Sequence, residues 1–421
     1  MAILSTGKLM DALRQHAVLS SERLAELPNL ARGRQGSARD FAKSLIQKGW
    51  LSVYQVNELL AGRGQELVIG PYYVLEKLGQ GGLSWVFRAQ HKEHGHHVAI
   101  KMIRPEVFAS AAGRQQFLLE VEAMARLDHP NIVQFCDADE FGSTYYFAME
   151  YVEGTDLGKV VRLSGALPAH EACDYIRQAA LGLQHAHERN LIHRDIKPVN
   201  LFRTQVSLDT RAAAAKLFAT KDGPAAPTRA ALQTMLTRHS IKVLDWGLAC
   251  LRNSTGLTPD QQLENGKSLV GTADYISPEQ ARNANQVDIR GDIYSLGCSL
   301  YYLLTGQAPF PDGALMQKIM AHQTAEPKPI GDFRADVPAG LIAIVKRMMA
   351  KTPEARFQTP ASAALALLPF TRASAILPIN LGTTPVRGRT QANRDDTPLP
   401  PKLAAQPNPD RASDAAFVQA E

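Results

Sequence analysis

The chain has 421 residues, of which 45% are hydrophobic and 21% charged, a composition typical of a globular protein that forms a core. The net charge of +5 is a mild basic bias spread over a long chain, so we expect no nucleic acid partner. No apolar run is long enough to predict a membrane span, and Asp11 and Arg14 interrupt the stretch that a secretory signal would need, so we expect a cytoplasmic protein.

Residues 1–66 have helical patterns. Apolar residues recur at helical spacing near the N-terminus: Leu9, Met10, Leu13 and Ala17. Ser37 with Asp40, and Ser52 with Gln55, have the spacing of capping boxes that begin helices. We predict a small helical module. Either it is a regulatory or docking element, or it is a structural extension packed on the next domain.

From Tyr72 the pattern changes to short segments rich in β-forming residues, separated by glycine turns. These predicted strands cover Val74–Leu78, Trp85–Ala89 and His97–Ile103. Beyond about residue 160 the periodicity is helical, as in Cys173–Ala186 and Asp292–Leu304. A β-rich part followed by an α-rich part predicts an α+β domain of two lobes with a cleft between them.

Residues 371–421 contain seven prolines among small and polar residues, which predicts a disordered tail. The four cysteines of the chain are too far apart in sequence for a CxxC motif: Cys136, Cys173, Cys250 and Cys298. We expect them to be free thiols in a reducing compartment.

The glycine-rich segment 79–86 lies between two predicted strands, where backbone N–H groups could approach phosphates closely. Alone it is weak evidence of a nucleotide site. Lys101 follows in an apolar predicted strand, where a lysine is costly to bury without a partner. Glu120, in a predicted helix, could pair with Lys101 and aim its ammonium at phosphates, although an unrelated surface lysine and glutamate would give the same pattern.

The segment from His193 to Asn200 is the strongest single signal. Phosphoryl transfer needs an oriented nucleophile, neutralised phosphate charge and a held metal ion. Here Asp195 could accept the proton of a substrate hydroxyl, Lys197 could neutralise phosphate charge, and Asn200 could bind Mg²⁺. Asp245 follows an apolar predicted strand and offers the second hard oxygen ligand that Mg²⁺ prefers.

With these motifs in this order, the chain resembles the eukaryotic-like serine/threonine protein kinases that also occur in bacteria. The resemblance implies a bilobal kinase domain over residues 72–370, with ATP and Mg²⁺ as cofactors and protein Ser/Thr hydroxyls as acceptors. It implies Met149 as gatekeeper, with Glu150, Tyr151 and Val152 forming the adenine-binding hinge. The other residues that it implies for ATP binding are Leu78, Gly79, Gly81, Ser84, Val86, Ala99, Lys101, Asp156 and Leu201.

The resemblance implies further contacts in the second lobe. Glu279 would pair with Arg356, and Asp292 would anchor the catalytic loop. Lys197 and Thr272 favour serine/threonine over tyrosine acceptors. Arg194 beside Asp195 resembles kinases that are activated by phosphorylation, for which the candidate acceptors are Ser254, Thr255, Thr258 and Ser268.

The chain departs from the family at three places. Ser84 replaces the third loop glycine, and Trp246 replaces the usual phenylalanine, so that a larger ring must pack near His193 and Met124. Residues 203–240 form an insertion where the family has a tight hairpin. This insertion is either a regulatory element near the cleft or a tolerated surface insertion.

Two alternatives remain. The chain could be a pseudokinase scaffold that binds ATP without chemistry, which Ser84, Trp246 and the insertion would favour. It could also be a small-molecule phosphotransferase, against which Lys197 and the predicted Glu279–Arg356 pair argue. Assays of acceptor peptides against small-molecule acceptors would separate the second alternative from a protein kinase.

Overall fold

The computed structural model describes residues 5–31, 37–81, 84–105, 111–204, 239–246, 273–283 and 287–372. Within the helix that begins at residue 111, the side chains of 111–113, 116, 117 and 120 lie outside this description. The predicted roles of Gly82, Thr272 and the four candidate phosphoacceptors therefore fall outside the described residues. The predicted tail falls outside them from residue 373 onward.

The N-terminal part is a four-helix module. Its helices are α1 (Thr6–Gln15), α2 (Ser21–Ala31), α3 (Ala38–Gln47) and α4 (Val53–Leu60). Both predicted capping boxes are confirmed, Ser37 with Asp40 at α3 and Ser52 with Gln55 at α4. The helical spacing that included Ala17 was wrong, because α1 ends at Gln15 and Ala17 has a φ of 47°, outside helical geometry. Leucines such as Leu9 and Leu59 fill the module's own core.

A six-stranded antiparallel sheet follows, in the order β1-β2-β3-β4-β6-β5. Its strands are β1 (Val68–Ile69), β2 (Tyr72–Gln80), β3 (Ser84–His91), β4 (His97–Ile103), β5 (Phe135–Phe141) and β6 (Thr144–Glu150). Helix α5 (Ala111–Ala125) connects β4 to the part of the chain that leads into β5. The sheet therefore contains all three strands predicted from sequence.

The second lobe combines a small sheet with helices. The sheet consists of β7 (Gly154–Asp156), β8 (Leu201–Thr204) and β9 (Ser240–Val243). The helices are α6 (Leu157–Ser164), α7 (Ala169–His187), α8 (Pro278–Arg282), α9 (Ile289–Thr305), α10 (Leu315–Thr324), α11 (Ala339–Met348) and α12 (Pro360–Leu367). Helices α7 and α9 pack against each other in a large apolar core. The predicted α+β architecture of two lobes is confirmed.

Strands β8 and β9 pair from Leu201 with Val243 to Thr204 with Ser240. The hairpin that the insertion was expected to replace is thus present, and the long connection begins only after Thr204. Residues 205–238 lie outside the described part of the chain. Within the described ranges, no helix is both long and apolar enough to cross a bilayer.

Candidate active site

One face of the large sheet gathers four of the predicted nucleotide-binding residues. Val86 lies opposite Lys101, and Ala99 lies opposite Met149, in the antiparallel ladders. Residues directly opposite each other share a face, and so do residues two apart along β4. Val86, Ala99, Lys101 and Met149 therefore project to the same side.

The glycine-rich segment connects β2 and β3. The Gly81 N–H donates to the Ser84 carbonyl at 2.8 Å, and this hydrogen bond links the two ends of the turn. A Cβ added at Gly79 would meet no atom of the described residues within 4 Å. Packing against the described residues therefore does not require glycine there. Leu78, before the turn, is 45% exposed, which leaves its side chain available to a ligand.

Lys101 is buried, and its Nζ lies 2.8 Å from Asp245 Oδ1. Burial alone would raise the pKa of Asp245, but the Lys101 ammonium, assisted by Lys197 and His193, holds that pKa below its ordinary value of 3.8. The carboxylate therefore stays ionised throughout the neutral range. The predicted partner of Lys101, Glu120, lies on α5, and its side chain is outside the described residues.

The catalytic-loop residues predicted from sequence are brought together. Lys197 Nζ lies 2.9 Å from each carboxylate oxygen of Asp195. The Asn200 side-chain NH₂ donates to the Asp195 carbonyl at 2.8 Å, which leaves the Asn200 amide oxygen as the atom suited to a metal ion. The Leu244 N–H donates to the Asn200 carbonyl at 2.9 Å, so Asn200 is fixed beside the segment that carries Asp245.

The predicted anchor of this loop is confirmed. Asp292 is buried, and its two carboxylate oxygens accept from the backbone N–H groups of His193 and Arg194, each at 2.8 Å. Burial raises the pKa of Asp292, although His193 and these two N–H groups act in the opposite direction. Arg194 has a φ of 63°, a conformation that non-glycine residues adopt where surrounding contacts hold them.

Trp246 packs where the sequence predicted. Its ring is 3% exposed and meets the His193 ring edge-to-face, with 4.8 Å between centroids. Its indole N–H donates to the Val243 carbonyl at 3.1 Å, so the polar group of the larger ring has a hydrogen-bond partner in this site. With Met124 and Met149 it lines a small apolar cavity of about 20 Å³ beside Asp245.

The hinge and the far side of the cleft hold the remaining predicted residues. Glu150 ends β6, and Val152 follows it half-buried. Leu201 is fully buried at the start of β8. Asp156 caps α6, where its Oδ1 accepts from the Lys159 N–H at 2.7 Å. The structure therefore gives Asp156 a helix-capping contact, and its role in ATP binding stays a prediction.

Two positioning residues escaped sequence reasoning. Lys242 pairs with the Glu150 carboxylate, which also accepts from the Gln134 N–H at 2.9 Å. The Gln280 side chain donates to the Arg194 carbonyl at 2.7 Å. No local motif marks Lys242 or Gln280, because their partners are about ninety residues away in sequence.

The comparisons with known proteins agree with this geometry. The protein kinase domain family matches residues 72–366. Among similar proteins are the serine/threonine-protein kinase PknB of Mycobacterium leprae, 32% identical over 69% of this chain and 41% of that protein, and the serine/threonine-protein kinase PrkC of Bacillus subtilis, 30% identical over 69% and 39%. The crystal structure of the Mycobacterium tuberculosis PknI kinase domain covers 72% of this chain and 97% of that one, with a TM-score of 0.50 and 25% identity.

The chain spans about two fifths of the length of the curated relatives it matches. The matched region contains the glycine-rich segment, Lys101, the Asp195 loop and Asp245, which are the residues that carried the predicted resemblance. That resemblance is confirmed: the chain belongs to the protein kinase domain family and is similar to bacterial serine/threonine protein kinases.

Proposed function

We propose that this protein is an active serine/threonine protein kinase that transfers the γ-phosphate of ATP to protein hydroxyls. The observation that carries the proposal is the contact of Lys197 with both oxygens of Asp195, beside Asn200 and near the Lys101–Asp245 pair. A carboxylate that accepts a proton, two ammonium groups that neutralise phosphate charge and two oxygen ligands for a metal ion are what phosphoryl transfer requires.

The chain's own residues have separate roles in the proposed phosphoryl transfer. Asp195 accepts the proton of the substrate hydroxyl and thereby orients the attacking oxygen. Lys197 and Lys101 stabilise negative charge on the transferred group and on the remaining phosphates. Because Asp292 accepts from the N–H groups of His193 and Arg194 and Gln280 donates to the Arg194 carbonyl, Asp195 is positioned before substrate binds.

Asn200 and Asp245 fit a magnesium ion. Both offer hard oxygen donors, and the Asn200 NH₂ is directed at the Asp195 carbonyl and not at the proposed ion site. Held by Asn200 and Asp245, Mg²⁺ would supply positive charge that neutralises the phosphates. ATP would then lie against the proposed contacts on the sheet and hinge: Leu78, Gly79, Gly81, Ser84, Val86, Ala99, Lys101, Met149, Glu150, Val152, Asp156 and Leu201.

The proposal includes the predicted division of the chain into a helical module over 1–66, a kinase domain over 72–370 and a tail over 371–421. It also includes a cytoplasmic location. Cys136, Cys173 and Cys298 are free thiols, and the exposed one, Cys136, is the thiol that a reducing compartment would keep free.

The test is transfer of labelled phosphate from ATP and Mg²⁺ to a generic basic protein, for the wild type and for Asp195→Asn. We expect wild-type label on Ser or Thr and a loss of at least about a hundredfold in the variant, the range of a general-base contribution. Equal background label on both proteins, with ATP still bound, would instead establish the pseudokinase scaffold.

A further inference from the structure

The N-terminal module contacts the kinase domain through helix α4. Helix α4 lies against β2, and Tyr54 on α4 packs both on the module's core and on the core of the large sheet. The Tyr54 ring lies 6.5 Å from the Phe87 ring, between centroids. Phe87 follows Val86 on β3, so its side chain projects to the face opposite the one that carries Val86 and Lys101.

The same helix makes a polar contact with an irregularity in β2. Val74 pairs with Ala89 and Glu76 pairs with Arg88, so Leu75 is an extra residue that no β3 residue opposes. Such a bulge leaves backbone groups without their ladder partner and bends the strand. The Ser52 hydroxyl donates to the Leu75 carbonyl, which satisfies this group from outside the sheet.

Ser52 can make this contact because of its place in the helix. It is the N-cap of α4, where its Oγ accepts from the Gln55 N–H at 3.0 Å while its own N–H donates to Gln55 Oε1 at 2.9 Å. A hydroxyl can accept and donate at the same time. The capping box therefore fixes the side chain that reaches the bulge.

Beyond the bulge, β2 leads directly to the glycine-rich segment. A second irregularity lies between Lys77 and Gly79, so that Leu78 is also an extra residue. The strand is therefore interrupted twice in its pairing with β3, which continues at Glu76, Lys77, Gly79 and Gln80. Its direction, and the position of the phosphate-covering turn, depend on what holds it at Leu75.

We propose that the helical module is a brace for the nucleotide site: Ser52 holds β2 at its bulge, Tyr54 packs on the neighbouring strand β3 through Phe87, and these two positioning residues together set the affinity for ATP. The inference rests on the proposed kinase function for its kinetic readout. It assigns to residues 5–67 a role in nucleotide binding within the same chain.

The experiment compares full-length Ser52→Ala with the wild type in steady-state phosphorylation at varied ATP. We expect the KM for ATP to rise about two- to tenfold, the range that one lost hydrogen bond allows, with kcat within about twofold. Ser52→Thr, which keeps the hydroxyl, should restore the wild-type KM. Ser37→Ala is the matched control, because Ser37 forms the other capping box and its hydrogen bonds are made with Asp40 in the first turn of α3.

A second readout does not require activity. Amide hydrogen exchange over residues 76–90 should become faster in Ser52→Ala and remain unchanged in Ser37→Ala. An unchanged KM and unchanged exchange in Ser52→Ala would overturn the brace. If the wild type were inactive but amide exchange were still faster in Ser52→Ala than in the wild type, the proposed function would be wrong and the brace would remain supported.

Discussion

At the scale of single residues, the hinge depends on an ion pair that crosses the cleft. The Glu150 carboxylate accepts from Lys242 on β9 and from the Gln134 N–H, and Lys242 also donates to the Ile132 carbonyl at 3.3 Å. Both charged side chains are largely buried, 32% and 20% exposed. Glu150 is the last residue of β6, which the proposal places against adenine. Its ion pair with Lys242 therefore connects this residue to the strand that leads to Asp245.

We predict that Glu150→Gln and Lys242→Met each raise the KM for ATP severalfold, because either change leaves a partly buried charge without its partner. The double variant should lose less than the sum of the two single losses, with a coupling free energy of about 1 kcal/mol. Steady-state kinetics at varied ATP, combined as a double-mutant cycle, measures this coupling.

The control for this cycle is Glu122→Gln, which breaks the exposed Glu122–Arg126 pair on α5. Exposed pairs of this kind contribute about 0–1 kcal/mol, and this one lies away from the hinge. We expect no change in the KM for ATP. Purely additive effects of Glu150→Gln and Lys242→Met would show that the pair does not act as a unit.

Sequence reasoning found the residues that act on phosphate but missed those that hold them. Asp195, Lys197 and Asn200 lie within six consecutive positions, so their spacing alone marks them. Lys242 meets Glu150 only because β8 and β9 pair and bring β9 beside the hinge. A long-range pairing of this kind has no signature in a single sequence.

At the scale of elements, Arg356 joins α8 to the loop after α11. Its guanidinium is fully buried and donates to both oxygens of Glu279 at 2.7 and 2.8 Å, which confirms the predicted pair. It also donates to the carbonyls of Ala350, Lys351 and Arg290. One side chain therefore fixes α8 to α9 and to the loop after α11.

We predict that Arg356→Met lowers the free energy of unfolding by about 3–5 kcal/mol, because it leaves the Glu279 carboxylate without its partner. Arg356→Lys should recover little, because an ammonium cannot reproduce the bidentate geometry. Denaturant titration measures both. Arg282→Met, an exposed change on α8, should stay within about 0.5 kcal/mol, and an equally small effect of Arg356→Met would contradict the prediction.

Element bounds were predictable where local chemistry sets them. The predicted strand His97–Ile103 matches β4, because its apolar residues end at turns. Helix α9 begins before the predicted Asp292, since the Asp288 side chain caps it by accepting from the Arg290 N–H. The bulges in β2 were not predictable, because they arise from pairing with β3 and from contact with α4.

At the scale of the whole molecule, two cores share one side chain. The module's core and the sheet's core are distinct clusters, and Tyr54 packs on both. A unit of about 60 residues buries little surface by itself and is only marginally stable. The module therefore gains stability from the domain on which it packs, and the two should unfold together.

We predict that the wild type shows one main transition for residues 5–372 in differential scanning calorimetry, and that Tyr54→Ala splits it, with the module unfolding first. Removing the half-buried ring deletes the apolar contact that couples the cores, whereas Tyr54→Phe keeps the ring and should keep one transition.

Val53→Ala, at a neighbouring position on α4 that is 60% exposed, controls for helix propensity. Because the proposed site for ATP with Mg²⁺ exists only in the folded domain, the nucleotide should raise the later transition of Tyr54→Ala and leave the earlier one in place. A single transition in Tyr54→Ala that shifts as a whole with nucleotide would show that the cores are coupled by contacts other than this ring.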